Sequence, residues 1–88
     1  MNIEVWFYGR FHELATRRQI VTLENGARLG DLAYRLAQAV GCEFAEELEK
    51  TKNYTIMRNQ RYCSLSADGD TLLREGDVVA FLPLVAGG

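Results

Sequence analysis

Cysteine, proline and histidine are scarce in this 88-residue chain: two, one and one residues respectively. Cys42 and Cys63 make neither a disulfide framework nor a zinc-ligand spacing. Both read as reduced thiols of a cytoplasmic protein. His12 has no nucleophile beside it in sequence to activate, so it reads as a solvated imidazole. No apolar run approaches the ~18 residues that a membrane span needs. Met1 to Tyr8 carries acidic Glu4 and no basic side chain, unlike a signal peptide. The net charge is -2 with no basic stripe, which argues against nucleic acid and anionic membrane as partners. Glu43, Glu46, Glu47 and Glu49 lie near Lys50 and Lys52, the pattern of a solvated helix face, and no metal is expected. Repeats, linkers and low-complexity segments are absent as well.

What is present fits one domain, residues 1–88, with residues 84–88 as an extended tail. A domain of this size has little room for a deep pocket with its own catalytic groups, and no catalytic side chain is expected. Ile3, Val5 and Phe7 alternate with Glu4, Trp6 and Tyr8, so the chain opens with a strand whose first set faces a core. Gly9 ends that strand. A helical or irregular turn with apolar Phe11 and Leu14 follows. Gln19 to Leu23 is a second strand, in a hairpin with the first. Leu29, Leu32, Ala33, Leu36 and Val40 form one apolar stripe and predict a helix over 29–40. Asp31 sits in its first turn and Gly41 at its C-cap. A short second helix is expected over Phe44 to Lys50. Strands are expected over Tyr54 to Arg58, Arg61 to Leu65 and Val78 to Leu82. Asn59-Gln60 and Gly76-Asp77 are turns, and Asp68-Gly69-Asp70 a loop. Pro83 cannot donate to a ladder and suits the exit from the last strand.

The order β-β-α-β-β-β, with one long helix, fits an α+β fold in which a mixed sheet of about five strands packs on that helix. The first and last strands can pair in parallel at its centre. This is the β-grasp, or ubiquitin-like, architecture.

The sequence ends in Gly87-Gly88. At ordinary glycine usage such a pair arises by chance in roughly one chain in 200, so alone it is weak. Its weight comes from the strand that closes four residues earlier. A carboxylate that must enter another protein's narrow active site needs thin backbone behind it. Glycine, with no Cβ, allows close approach on every side.

The segment Leu73-x-x-Gly76-Asp77-x-Val79-Ala80-Phe81-x-Pro83-x-Val85-x-Gly87-Gly88 resembles the C-terminal signature of the MoaD/ThiS sulfur carriers, the group that includes the molybdopterin-synthase small subunit. Val5-Trp6-Phe7-Tyr8-Gly9 with Glu13-Leu14 resembles that family's first strand and turn. Gly30-Asp31-Leu32 and Asn59-Gln60 sit at matching places. Leu84 departs from a common second proline, Arg58 from an apolar residue, and Arg28 from a Ser or Thr helix cap.

The resemblance implies a carrier cycle. An E1-like adenylyltransferase activates the Gly88 carboxylate with ATP, which the partner binds. A sulfur donor, such as a cysteine desulfurase or rhodanese-type protein, converts the adenylate to a thiocarboxylate. The loaded tail then enters the molybdopterin synthase large subunit and gives up its sulfur for a dithiolene. Gly88 is the reacting end and Gly87 gives access. The alternatives are a carrier for thiamine synthesis, tungsten-enzyme maturation or tRNA thiolation, or a β-grasp interaction domain that is never activated. Strand alternation adds a docking face. Trp6, Tyr8 and Leu82 should lie together on the side away from the helix, and Pro83, Val85 and Ala86 continue toward the terminus.

Overall fold

The computed structural model describes residues 1–84. Its elements are β1 (Asn2–Phe7), α1 (Arg10–Leu14), β2 (Arg18–Thr22), α2 (Leu29–Val40), α3 (Cys42–Glu49), β3 (Tyr54–Arg58), β4 (Arg61–Cys63), α4 (Leu65–Asp68) and β5 (Val78–Pro83). The strands form one sheet in the order β2-β1-β5-β3-β4. β1 and β5 run parallel at its centre, and the remaining neighbours are antiparallel. This is the expected β-grasp.

The alternation in β1 sorts its side chains as expected. Ile3, Val5 and Phe7 are fully buried, and Glu4 and Trp6 are on the other face. The register carries that division across the sheet. Val79 and Phe81 of β5 and Ile56 of β3 join the buried side, where Leu29, Leu32, Ala33 and Leu36 of α2 cover them. Val40, the last member of the helical stripe, is only partly buried at the edge of this core.

Under the C-terminal end of β5 the core is aromatic. Phe11 lies 5.2 Å from Phe44, 5.0 Å from Tyr54 and 5.3 Å from Phe81, centroid to centroid, and the Phe11–Phe44 and Phe11–Tyr54 pairs are edge-on. Burying one such ring stabilises by about 2–3 kcal/mol, so the short α1 is a load on the core and not a loose connection. The Tyr54 hydroxyl donates to the Leu48 carbonyl at 2.6 Å, which ties α3 to the start of β3.

The Arg28 side chain at the start of α2 has no acceptor to offer, and other groups do the capping. Asp31 accepts the Arg28 backbone N–H at 2.8 Å, while the Leu29 and Gly30 N–H groups donate to the carbonyls of Thr71 and Gly69 at 2.9 Å each. The helix start therefore has partners for its free N–H groups without a Ser or Thr cap.

Several boundaries differ from expectation: β2 runs Arg18–Thr22 and not Gln19 to Leu23, and β5 extends through Pro83. The fourth strand ends at Cys63 and not at Leu65, because Ser64 starts α4 with its hydroxyl accepting the Ala67 N–H at 3.1 Å. Part of the segment read as the 68–70 loop is the end of that helix. The second helix begins at Cys42, directly after Gly41, whose φ of 126° and N–H bond to the Ala37 carbonyl close α2. Among the described residues, no helix is long and apolar enough to cross a membrane.

Candidate functional site

Two features converge at the C-terminal end of β5: the outer sheet face and the root from which residues 85–88 leave. Cα pairing places Arg18, Trp6, Ala80, Met57 and Tyr62 in one row across all five strands. Glu4 and Val78 flank that row on one side, and Leu82 opposite Thr55 on the other. Trp6, Tyr8 and Leu82 thus share the face away from α2, as alternation predicted. Val78 at 38% and Tyr62 at 72% exposure leave apolar surface open to water.

Trp6 and Tyr8 are half-buried, not bare. Their rings stack 13° from parallel with centroids 6.5 Å apart. The Arg18 guanidinium lies 5.7 Å from the Trp6 ring centre, and that of Arg17 lies 5.3 Å from the Tyr8 ring. Arg18 also donates to Glu4 at 2.9 Å, and the Trp6 indole N–H donates to the other Glu4 oxygen at 2.6 Å. The Arg18 and Trp6 hydrogen bonds hold the Glu4 carboxyl below its ordinary value. The sequence reading missed Arg17, Arg18 and Met57. The β1–β2 and β3–β5 registers bring them here, and no short motif marks a register.

The tail root is built from three backbone segments. Pro83 pairs with Tyr54 at the end of the β3–β5 ladder. The Leu84 N–H donates to the Asn53 carbonyl at 2.9 Å, and the Tyr8 N–H to the Phe81 carbonyl at 3.1 Å. Pro83 is exposed, and its ring lies against Gly9. Gly87, Gly88, Val85 and Ala86 lie outside the described residues.

The other end of β5 is polar. Asp77 is 6% exposed. Its Oδ2 accepts from Arg58 Nε at 3.1 Å and from the Arg74 N–H at 2.9 Å, and its Oδ1 accepts from the Asn59 amide at 2.9 Å. Burial alone would raise this carboxyl. The bonds from Asn59 and Arg74 and the Arg58 charge together outweigh burial and hold it below the ordinary range. Arg58 is thus the partner of Asp77.

The remaining candidates lie at the edge of this region or away from it. His12 is exposed, with Arg17 Nη2 3.5 Å from its Nδ1. Glu43 and Glu47 face Arg10 at 3.6 and 4.0 Å, and Lys50 reaches Glu47 at 3.4 Å. Among the described residues, no group of three or more His, Cys, Asp or Glu could hold a metal ion. Cys42 is exposed. Cys63 is half-buried on the core side, where burial first, and then Asp68, push its thiol up.

The ThiS family model matches residues 5–88. The molybdopterin synthase sulfur carrier subunit of Mycobacterium tuberculosis is 31% identical over 90 residues, covering 100% of this chain and 99% of that protein. A complex of subunits 1 and 2 of molybdopterin-converting factor from Helicobacter pylori contains a similar chain, 25% identical with a TM-score of 0.65 and 100% of both chains covered. Small archaeal modifier protein 1 of Haloferax volcanii, 21% identical, shares the fold with a TM-score of 0.77 over 96% of this chain and 98% of that one. The chain belongs to the ThiS family, the MoaD/ThiS group of ubiquitin-like proteins that its last strand and terminal glycines resemble.

Proposed function

We propose that this chain is the sulfur-carrying small subunit of a molybdopterin synthase. The observation that carries the reading is a family match that runs through Gly88, on a chain whose curated relative is a sulfur carrier subunit. A carboxylate oxygen of Gly88 attacks the α-phosphorus of ATP in an E1-like partner and pyrophosphate leaves. The terminal sulfur of a donor persulfide displaces AMP at the acyl carbon, giving an acyl disulfide, and a second thiol then attacks the donor's sulfur, releasing the Gly88 thiocarboxylate and leaving a disulfide between donor and thiol. In the large subunit this sulfur passes to the pterin precursor of the dithiolene. The chain contributes one domain and a reacting terminus, and its partners contribute the catalytic side chains.

Docking uses the outer face beside the tail root. Tyr8, Trp6 and Leu82 are its apolar centre, because partly exposed aromatic groups next to apolar neighbours are what interfaces bury. Pro83, Val85 and Ala86 continue the contact toward the terminus. The relative that forms a complex with a second subunit supports a large-subunit partner.

Incubation with the E1-like partner, ATP and a sulfur donor should raise the chain's mass by the difference between sulfur and oxygen. No gain with a cognate partner would sink the carrier reading. Tyr8→Ala and Leu82→Ala should each weaken affinity for the large subunit by about tenfold or more. Unchanged affinity in both would remove the docking face while leaving the carrier intact.

A further inference from the structure

Three charged side chains surround the stacked rings of Trp6 and Tyr8: Glu4, Arg18 and Arg17. Two of them neutralise each other, since Arg18 and Glu4 pair at 2.9 Å. Arg17 makes no ion pair among the described residues. One of its N–H donors, on Nη2, is directed at His12 Nδ1 from 3.5 Å, the long limit of a hydrogen bond. The other donors are open to water, because the residue is exposed. The guanidinium is placed all the same. It lies 5.3 Å from the centre of the Tyr8 ring, inside the ~6 Å over which a ring face attracts a cation. The backbone beneath it is tied down as well: the Arg17 carbonyl accepts the N–H of fully buried Phe7 at 2.8 Å.

We propose that Arg17 is a specificity-determining residue for docking: it takes a carboxylate side chain, Asp or Glu, that the large subunit presents opposite Tyr8. This rests on docking through the outer face, as read above. The reason is desolvation. A surface that covers Tyr8 also covers the cation lying on its ring. A guanidinium taken out of water without a counter-charge is costly, so a partner that is apolar or basic at this point is rejected. A partner with a carboxylate there forms two parallel N–H···O bonds, because the guanidinium fork fits both oxygens. The ring already limits the rotamers of Arg17, so pairing removes little further freedom. Glu4 does not fill the role, because Arg18 and the Trp6 N–H occupy its oxygens. Nor does Arg18 compete for the partner's carboxylate, since its charge is met within the chain. The rings supply the apolar area, and Arg17 decides which surface covers it.

The test is the affinity of the cognate large subunit for wild type, Arg17→Gln, Arg17→Glu and Arg35→Gln, by calorimetry at about 50 mM and about 300 mM salt. Arg35→Gln makes the same charge change as Arg17→Gln on an exposed residue of α2, across the sheet from the outer face. At the lower salt Arg17→Gln should weaken binding about tenfold, and Arg17→Glu about 100-fold, because two carboxylates then face each other. Arg35→Gln should stay within about twofold of wild type. At the higher salt the Arg17→Glu loss should shrink several-fold. Thermal midpoints should not move, since the side chain is exposed and the Phe7 bond uses backbone only. In a Tyr8→Ala background, without the ring that places the guanidinium, Arg17→Gln should cost less than about threefold. Wild-type affinity in Arg17→Gln overturns the proposal, and so does tighter binding by Arg17→Glu. An equal loss in Arg35→Gln would reduce the effect to net charge and overturn it. A loss unaltered by Tyr8→Ala would detach the carboxylate from the ring and overturn it too. Weaker binding with a lowered midpoint would make Arg17 a structural residue, with the same result. Failure of the docking reading looks different, since Tyr8→Ala and Leu82→Ala would then bind like wild type as well.

Discussion

At its first residues β5 is held by charge and a dense set of hydrogen bonds; at its last it is held by shape and a few backbone bonds. Asp77 gathers Arg58, Asn59 and Arg74, and its carbonyl accepts the Glu4 N–H at 2.9 Å. Pro83 has a ring seated against Gly9 and a register partner in Tyr54. One end is buried and ionic, the other exposed and nearly apolar. A strand anchored at its start and by Phe81 can present its last residue, Pro83, without that residue contributing to the core. The division predicts that damage at the Asp77 end appears as lost stability, and damage beyond the Pro83 end as lost chemistry.

The largest expected effect is on chemistry. Deleting Gly87-Gly88 should abolish sulfur loading while the urea midpoint stays at the wild-type value, because neither glycine has a side chain to bury. A shifted midpoint would show that the terminus carries stability and would break the division.

At the other end, Asp77→Ala should cost about 3 kcal/mol, since it leaves Arg58, the Arg74 N–H and the Asn59 amide without their shared acceptor. Urea unfolding measures it. A loss below about 1 kcal/mol, the net worth of a single hydrogen bond, would mean that water replaces the carboxylate at little cost. The folded-state value of this carboxyl lies below its unfolded one. Its stabilisation is therefore fully present above the unfolded value of about 3.9 and is lost as pH falls through the lower folded value. Acid titration should lower the wild-type urea midpoint more steeply than that of Asp77→Asn, which has no proton to gain. Parallel curves would show that other carboxylates govern the acid limb.

The strands and the long helix were legible because, β4 apart, they carry strong period-2 and period-3.6 patterns over five to twelve residues. The sequence also put Trp6, Tyr8 and Leu82 on one face, because alternation is local. It did not show Arg17 and Arg18 stacked over Tyr8 and Trp6, since that depends on the β1–β2 register. Nor did it pair Arg58 with Asp77, 19 residues apart. Gly76-Asp77 reads as a turn from its own residues, and only the tertiary fold makes the aspartate an anchor. The α4 helix was hidden because four residues are too few for a period, and Ser64 continues the apolar reading of β4 into Leu65. Gly9 was legible as the end of a strand, but the proline ring against it comes from the far end of the chain.

The smallest expected effect separates two neighbours within the anchor. Asn59 and Gln60 join β3 to β4 as a two-residue turn, with φ of 51° and 70°. Positive φ at both centres is the primed turn that suits strand twist. Asparagine tolerates this conformation, and Asn59 is bonded besides. Its amide donates to Asp77, its side-chain oxygen accepts the Val78 N–H at 2.9 Å, and its own N–H donates to the Val78 carbonyl at 2.8 Å. Gln60 is exposed and has the strain without such bonds. Gln60→Gly should therefore stabilise by about 0.5 kcal/mol, the relieved strain less the extra freedom of the unfolded chain. Asn59→Gly should destabilise by about 1–2 kcal/mol, because two side-chain bonds are lost at a residue that already accepts the conformation. Opposite signs at adjacent residues, read from urea midpoints, would locate the anchor's strength in the asparagine side chain. Equal stabilisation by both would mean that turn geometry alone decides, and that Asn59 adds nothing to the hold on Asp77.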